Sequence, residues 1–323
     1  MAAASLKARL SRPSPRMVRA LALAVLVTQV LISVTGTIVR VTGSGLGCPT
    51  WPQCFPGSMV PVSHAEIAPL HQAIEFGNRL LTFVVGIAAI ACFLAAWRSR
   101  PRRPRLVRLA LVMPLGVVAQ AIIGGITVLV DLQWWSVSLH FLASAVLVWL
   151  AAILVKTASE GDDKPMLVIT RTMQRLLVAL SAVTFVMLFA GTLVTAAGPH
   201  AGDAATPRLD VPVETIARVH SMSTMAYVLL LAVFGVWLRS ARPTKALLKA
   251  YSAACAVVLL QGAIGYTQYA LGVPEPLVVA HVLGAMLVVV ATSWLWCESR
   301  YRGPLPQQKQ AEPVQQAAEP AAS

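Results

Sequence analysis

Residues 107–130 read VRLALVMPLGVVAQAIIGGITVLV, and this stretch decides the fold. A helix of about 20 apolar residues crosses a hydrocarbon core of ~30 Å. The run exceeds that length, and its only charged residue, Arg108, stands at one end. Lipid offers no partner for free backbone groups, so the run is expected to be a helix that satisfies its own hydrogen bonds. Seven runs of the same kind flank it: Val18–Val39, Glu75–Trp97, Ser136–Val155, Met173–Ala196, Thr215–Trp237, Ala250–Leu271 and Leu277–Cys297. Only 12% of the 323 residues are charged, about half the share of a soluble domain. The expected fold is an all-α integral membrane protein with eight transmembrane helices.

A basic stretch precedes the first run, as in a signal peptide. The run is long, however, and no small-residue cleavage site follows it, so it reads as a retained helix. The net charge of +13 invites a nucleic-acid reading, but its distribution argues against one. Of the 26 Lys and Arg, 22 lie at the start, between runs two and three, four and five, six and seven, or after the last run. Arg40, Arg79, Arg208 and Arg218 alone fall on the other side. This is the positive-inside pattern of a plasma-membrane protein with both termini in the cytoplasm. The block Arg98–Arg108 is a topology signal that also meets anionic lipid. The tail after Arg302, rich in Gln, Pro, Ala and Glu, is expected to be disordered.

The chain repeats itself. Gln120-Ala-Ile-Ile-Gly124 precedes His140 by the same twenty residues that separate Gln261-Gly-Ala-Ile-Gly265 from His281. Gly36-Thr-Ile-Val39 likewise matches Gly191-Thr-Leu-Val194. Each half holds four helices, an even number, so both copies have the same orientation in the membrane, as in a parallel repeat. The expected division is a cytoplasmic N-terminal segment (1–17), a first four-helix bundle (18–157), a cytoplasmic linker (158–172), a second bundle (173–298) and a tail (299–323).

Of six histidines, His64 and His200 fall in outer loops and read as solvated. His71, His140, His220 and His281 lie at or just inside the outer ends of the even-numbered helices. Ionisable side chains at such depth are costly and usually face the bundle interior. His220 and His281 match across two helices of one bundle, and neutral imidazoles so placed suit the axial positions of a haem iron. Nearby Gly and Ala would let a flat macrocycle approach. The structural alternative is hydrogen bonding between helices. Zinc is disfavoured, because no ligand set at zinc spacing occurs within the helices.

The first half differs. His71, Glu75 and Arg79 are spaced four apart on one face of the second helix, and the repeat places Asn78 opposite His220. Buried Glu75 is an acid/base candidate, or else a helix-start partner for Arg79. Cys48 and Cys54 lie in the first outer loop, on the oxidising side, where a disulfide is permitted. It would serve as a structural staple or as a redox pair. The loop lacks the following His of a covalent c-type haem site. Cys92, Cys255 and Cys297 read as small packing residues.

These features together resemble the haem A synthase family, in the form of its actinobacterial members. The resemblance runs from about Val18 to Cys297. It rests on the two four-helix halves, the outer-end histidines, Cys-Pro-x-Trp-Pro-x-Cys and the Glu75-Phe-Gly-Asn78-Arg79 segment. It implies oxidation of the C8 methyl of haem O to the formyl group of haem A, for cytochrome c oxidase, by two hydroxylations with water-derived oxygen. It implies haem b as cofactor on His220 and His281, the substrate iron on His140, a catalytic role for Glu75 and a Cys48–Cys54 disulfide. Implied partners are the haem O substrate, the haem O synthase (protohaem farnesyltransferase) that makes it, a membrane electron acceptor and lipid. Nucleic acid is not among them, and a homo-oligomer is left open. Arg79 and Arg218 are candidates for the haem propionates, or else for snorkelling to headgroups. Many members carry His where this chain has Asn78. Either the substrate iron is then five-coordinate, or His71, two turns outward, supplies the ligand.

Two other classes compete. A dihaem electron carrier linked to quinol would show a similar bis-His bundle, but would give Glu75 no task. A transporter would break helices at the midplane. Pro114 lies in the inner part of its helix without a mate, and the polar residues cluster at the outer ends instead.

Overall fold

The computed structural model describes residues 13–305. The first twelve residues and the part of the expected tail beyond residue 305 lie outside them. Among the described residues, eight helices are long and apolar enough to cross a membrane: α1 Pro15–Val41, α2 Pro69–Arg98, α3 Pro104–Leu129, α4 Trp134–Thr157, α5 Arg171–Ala197, α6 Val213–Ser240, α7 Lys245–Ala270 and α8 Glu275–Glu298. The protein is an all-α, multi-pass membrane protein; among the described residues the only strand pair is β1 (Met166–Leu167) with β2 (Arg300–Tyr301).

All eight helices begin earlier than the apolar runs, because the residues before each run already have helix-start chemistry. Ser14, Thr170 and Thr244 cap α1, α5 and α7, their hydroxyls accepting from the amides of Met17, Met173 and Leu247; such caps answer amides that have no intrahelical partner. Pro69 opens α2 six residues before Glu75, where proline's missing N–H costs nothing. His71 lies in this first turn, on the helix that carries Glu75 and Arg79.

Buried apolar side chains gather into two main cores. One draws on α1–α4, with Leu188, Met286 and Val289 from the later helices. The other draws on α5–α8, with Ile169. α1 and α4 both pack against α8, and α4 against α5. The helices alternate in direction, so the α1–α2, α3–α4, α5–α6 and α7–α8 links lie together at one end, here the disulfide end. The Gly45 amide donates to the Gly202 carbonyl there at 2.9 Å, joining the two long loops. At the opposite, basic end Lys156 pairs with Glu298 at 2.6 Å. Buried Arg103 donates to the Thr157 carbonyl at 2.6 Å and pairs with Asp162 at 3.0 Å. β1–β2 also lies at this end, tying the segment between α4 and α5 to the residues after α8.

The halves differ in how they close. α2 and α3 pack closely, whereas their counterparts α6 and α7 barely touch. Near the turn that connects them, Tyr251 lies against Gly235 and Phe234. A Cβ at Gly235 would overlap the Tyr251 hydroxyl. Gly235→Ala is therefore expected to lower stability by about 1–3 kcal/mol, as overpacking does, read as a drop in unfolding temperature in detergent. An unchanged temperature would show that Tyr251 gives way freely.

Candidate functional site

The membrane leaves polar side chains two refuges, the interfaces and the interior. Here the interior wins. A cavity of about 670 Å³ opens among the helices near the disulfide end. Glu75, Asn78 and His140 line it from the first half, and His200, His220 and His281 from the second.

Each of the three helix-borne imidazoles rests on a glycine. A Cβ at Gly124 would stand 3.1 Å from His140 Cε1, one at Gly191 3.2 Å from His220 Cε1, and one at Gly265 2.9 Å from His281 Cε1. Any larger residue would push the ring away, so glycine lets the neighbouring helix come this close. The corresponding Gly36 has nothing within 4 Å of an added Cβ. The ring-bearing position there is Asn78, whose Oδ1 lies 2.8 Å from Thr35 Oγ1.

Two glutamines hold the histidine helices in place. Gln120 Nε2 donates to the His140 carbonyl at 3.1 Å, and Gln261 Nε2 to the His281 carbonyl at 2.8 Å. Gln120 also reaches Ser144 Oγ. The twenty-residue interval seen twice in the sequence is thus a pair of matching cross-helix hydrogen bonds.

The His220 and His281 ring centres are 6.2 Å apart, with the planes at 74°. An imidazole nitrogen sits ~2.0–2.1 Å from a metal and its ring centre ~1 Å further, so two rings sharing one metal have centres ~6 Å apart. His220 Nδ1 lies 3.0 Å from the Met187 carbonyl; that bond fixes the ring and leaves Nε2 for a ligand. His281 Nδ1 and His140 Nδ1 are buried without a hydrogen-bond partner among the described residues, a cost that a bound group would relieve. No cluster of three or more His, Cys, Asp or Glu that could hold a metal occurs among the described residues. A metal held by the pair must bring further donors with it, as an iron porphyrin does.

Glu75 is buried, and both its oxygens are engaged. Oε2 accepts from the Cys48 amide at 2.7 Å, and Oε1 from Arg79 Nη2 at 2.6 Å and Nε at 3.1 Å. Arg79 also donates to the carbonyls of Cys48, Thr50 and Gln53, at 2.6, 2.9 and 3.2 Å. All five guanidinium N–H groups are used. The two readings of Glu75 therefore coexist, since the carboxylate lines the cavity and also pairs with Arg79. Cys48 and Cys54 form a disulfide, and the small ring it closes carries Trp51 into the cavity wall against Gly125.

His71 and Arg218 are not among the cavity-lining residues. His71 Nδ1 lies 3.0 Å from Ser44 Oγ, beneath the first loop, and Arg218 is exposed. His64 stacks on Phe55 in the loop, and His200 Nε2 meets the Val273 carbonyl at 2.9 Å. Sequence reasoning gave no role to Arg40, Trp51 or Thr35, all near or in the cavity wall. Arg40 did carry a signal, being one of four basic residues against the charge bias.

A family model described as cytochrome oxidase assembly protein, COX15-CtaA, matches residues 19–293. The heme A synthase of Shouchella clausii is 25% identical over 249 residues, covering 73% of this chain and 81% of that protein. That of Lysinibacillus sphaericus is 31% identical over 177 residues, or 54% and 56% of the two chains. That of Halalkalibacterium halodurans is 26% identical over 168 residues, or 51% and 55%. The matched region thus spans most of the first relative and about half the length of the other two.

The saturated Arg79 makes a prediction. Lysine lacks the planar fork and can replace few of the five bonds. Arg79→Lys is expected to speed hydrogen exchange of the Cys48 amide and its loop at least tenfold. Exchange as slow as in the parent chain would contradict the clamp.

Proposed function

The chain belongs to the cytochrome oxidase assembly protein family COX15-CtaA, and from that premise we propose that it is a haem A synthase, an oxidoreductase that converts the C8 methyl of haem O to a formyl group. The observation that carries this reading is the convergence on one cavity of the His220–His281 pair, Glu75 and His140. In this reading His220 and His281 hold haem b in the second half, and His140 faces the iron of the substrate in the first. The glycine seats, the 6.2 Å ring separation and the unpartnered His281 Nδ1 support the fit.

Converting methyl to formyl with water as the oxygen source releases four protons and four electrons. Bound haem b supplies a centre that accepts and passes on single electrons, and a membrane acceptor takes them up. The protein's own task is to position the substrate and handle protons. A carboxylate oxygen has two lone pairs, so Glu75 keeps capacity to accept from a cavity water while Arg79 and the Cys48 amide hold it still. A fixed negative charge there also stabilises positive charge developing on the substrate. Asn78 is a poor iron ligand, and His71 lies away from the cavity lining, so the substrate iron is proposed to take one protein ligand, His140. The disulfide loop screens the first-half site from bulk water as a structural cover.

We place the chain in the plasma membrane with both termini cytoplasmic and the disulfide end outside, following the charge distribution. Haem O synthase is the partner that supplies the substrate.

Co-expression with a haem O source, followed by mass and spectral identification of the bound haems, is expected to yield haem b with haem A. Haem b alone would favour a dihaem electron carrier. His220→Ala or His281→Ala is expected to abolish the bis-imidazole haem b spectrum of the purified protein. Glu75→Ala should keep that spectrum and lower conversion of haem O by ~10²-fold or more, the scale of a lost acid/base group. Full conversion by this variant would remove Glu75 from the mechanism.

A further inference from the structure

Two arginines line the cavity, Arg79 and Arg40. Arg79 has no N–H to spare. Arg40 is its opposite. It stands in the last turn of α1, its Nε is buried without a hydrogen-bond partner among the described residues, and no ion pair among the described residues includes it. Its stem lies against Gly202, where an added Cβ would come 3.6 Å from Arg40 Cγ. Gly202 is also the residue whose carbonyl accepts from Gly45. Arg40 therefore sits where the long loops of the two halves meet, on the wall of the cavity they share.

An unpaired cation in such a place is costly. Its charge complements the carbonyl end of α1, but that does not require burial: an arginine so near the end of a span would ordinarily snorkel to the interface. Thr195, the residue that the repeat places opposite Arg40, lines the same cavity without a charge. The second-half repeat thus does without the cation, so it is not a requirement of the fold. A guanidinium with free donors is matched by a planar oxyanion, above all a carboxylate, which takes two parallel N–H bonds.

We infer that Arg40 is the carboxylate-binding residue of the cavity, pairing with a propionate of a bound porphyrin at the junction of the two halves. The inference rests on the haem reading above. It assigns the role to Arg40 because Arg79 is saturated by Glu75 and the loop carbonyls, and because Arg218 lies off the cavity wall. A lipid phosphate is the other oxyanion within the same chemistry, and the test separates the two.

The full-length chain is prepared free of haem as wild type, Arg40→Gln and Arg40→Lys. Each is titrated with haem b and with haem b dimethyl ester, whose carboxylates are blocked, past two equivalents so that a site in either half is read. The wild type is expected to bind the free acid more tightly than the ester. Arg40→Gln should lose about tenfold or more for the acid, the scale of a charge-assisted pair, and nothing for the ester. Arg40→Lys should keep part of the preference. The empty Arg40→Gln protein should unfold at no lower temperature than the wild type, since no bond is lost. Equal affinity of Arg40→Gln and wild type for the acid, as a lipid-phosphate partner would give, overturns the inference. So does an equal loss for acid and ester, or an empty variant that fails to fold, because either marks a structural role. A wild type that binds neither probe removes the haem reading itself, a result distinct from all of these.

Discussion

A buried imidazole in a membrane is cut off from bulk water, so its seat must come from its own chain. The arrangement of this protein follows from that constraint. Glycine on the facing helix gives each ring room. A glutamine from the preceding helix pins the histidine's own backbone carbonyl. Once the rings are seated this way, their free nitrogens have nowhere to turn but inward. The cavity is the space between those nitrogens, and a flat metal-bearing ligand that supplies both apolar surface and a coordination centre is the kind of group it suits.

The same constraint explains why α1–α4 and α5–α8 close differently. In the first half a polar cluster closes the end: Glu75, Arg79 and four groups of the disulfide loop satisfy one another almost completely. That cluster holds a carboxylate at the cavity wall, immobile and within reach of a ligand. The second half has no such cluster and relies on paired imidazoles, while α6 and α7 barely touch. In the proposed reading, α5–α8 hold a group in place and α1–α4 present a carboxylate to one. The two sit on a continuous cavity rather than in separate compartments.

Much of this was legible in the sequence, because the signals were periodic or counted. The eight spans followed from apolar length. The Gln–His interval was visible before its meaning was, and it is a hydrogen bond made twice. His220 and His281 were paired by their matched depth on two helices of one bundle, and their ring centres lie 6.2 Å apart. The rest depended on loops, which carry no period. That Arg79 spends all its donors on the backbone of 48–53 cannot be read from a spacing of four residues, and neither can the seating of Trp51 on Gly125. His71 looked equivalent to the other membrane histidines because it shares a helix face with Glu75 and Arg79; it lies in the first turn of α2, beneath the loop beside Ser44. Arg40 was visible only as an exception to the charge bias.

The central claim is that His220 and His281 grip one iron. Pulsed electron paramagnetic resonance of the oxidised, haem b-loaded full chain tests it directly when the histidines carry ¹⁵N. The account predicts a low-spin ferric signal with hyperfine coupling to two axial imidazole nitrogens. The lack of any low-spin signal, or a low-spin signal coupled to a single imidazole, would contradict it.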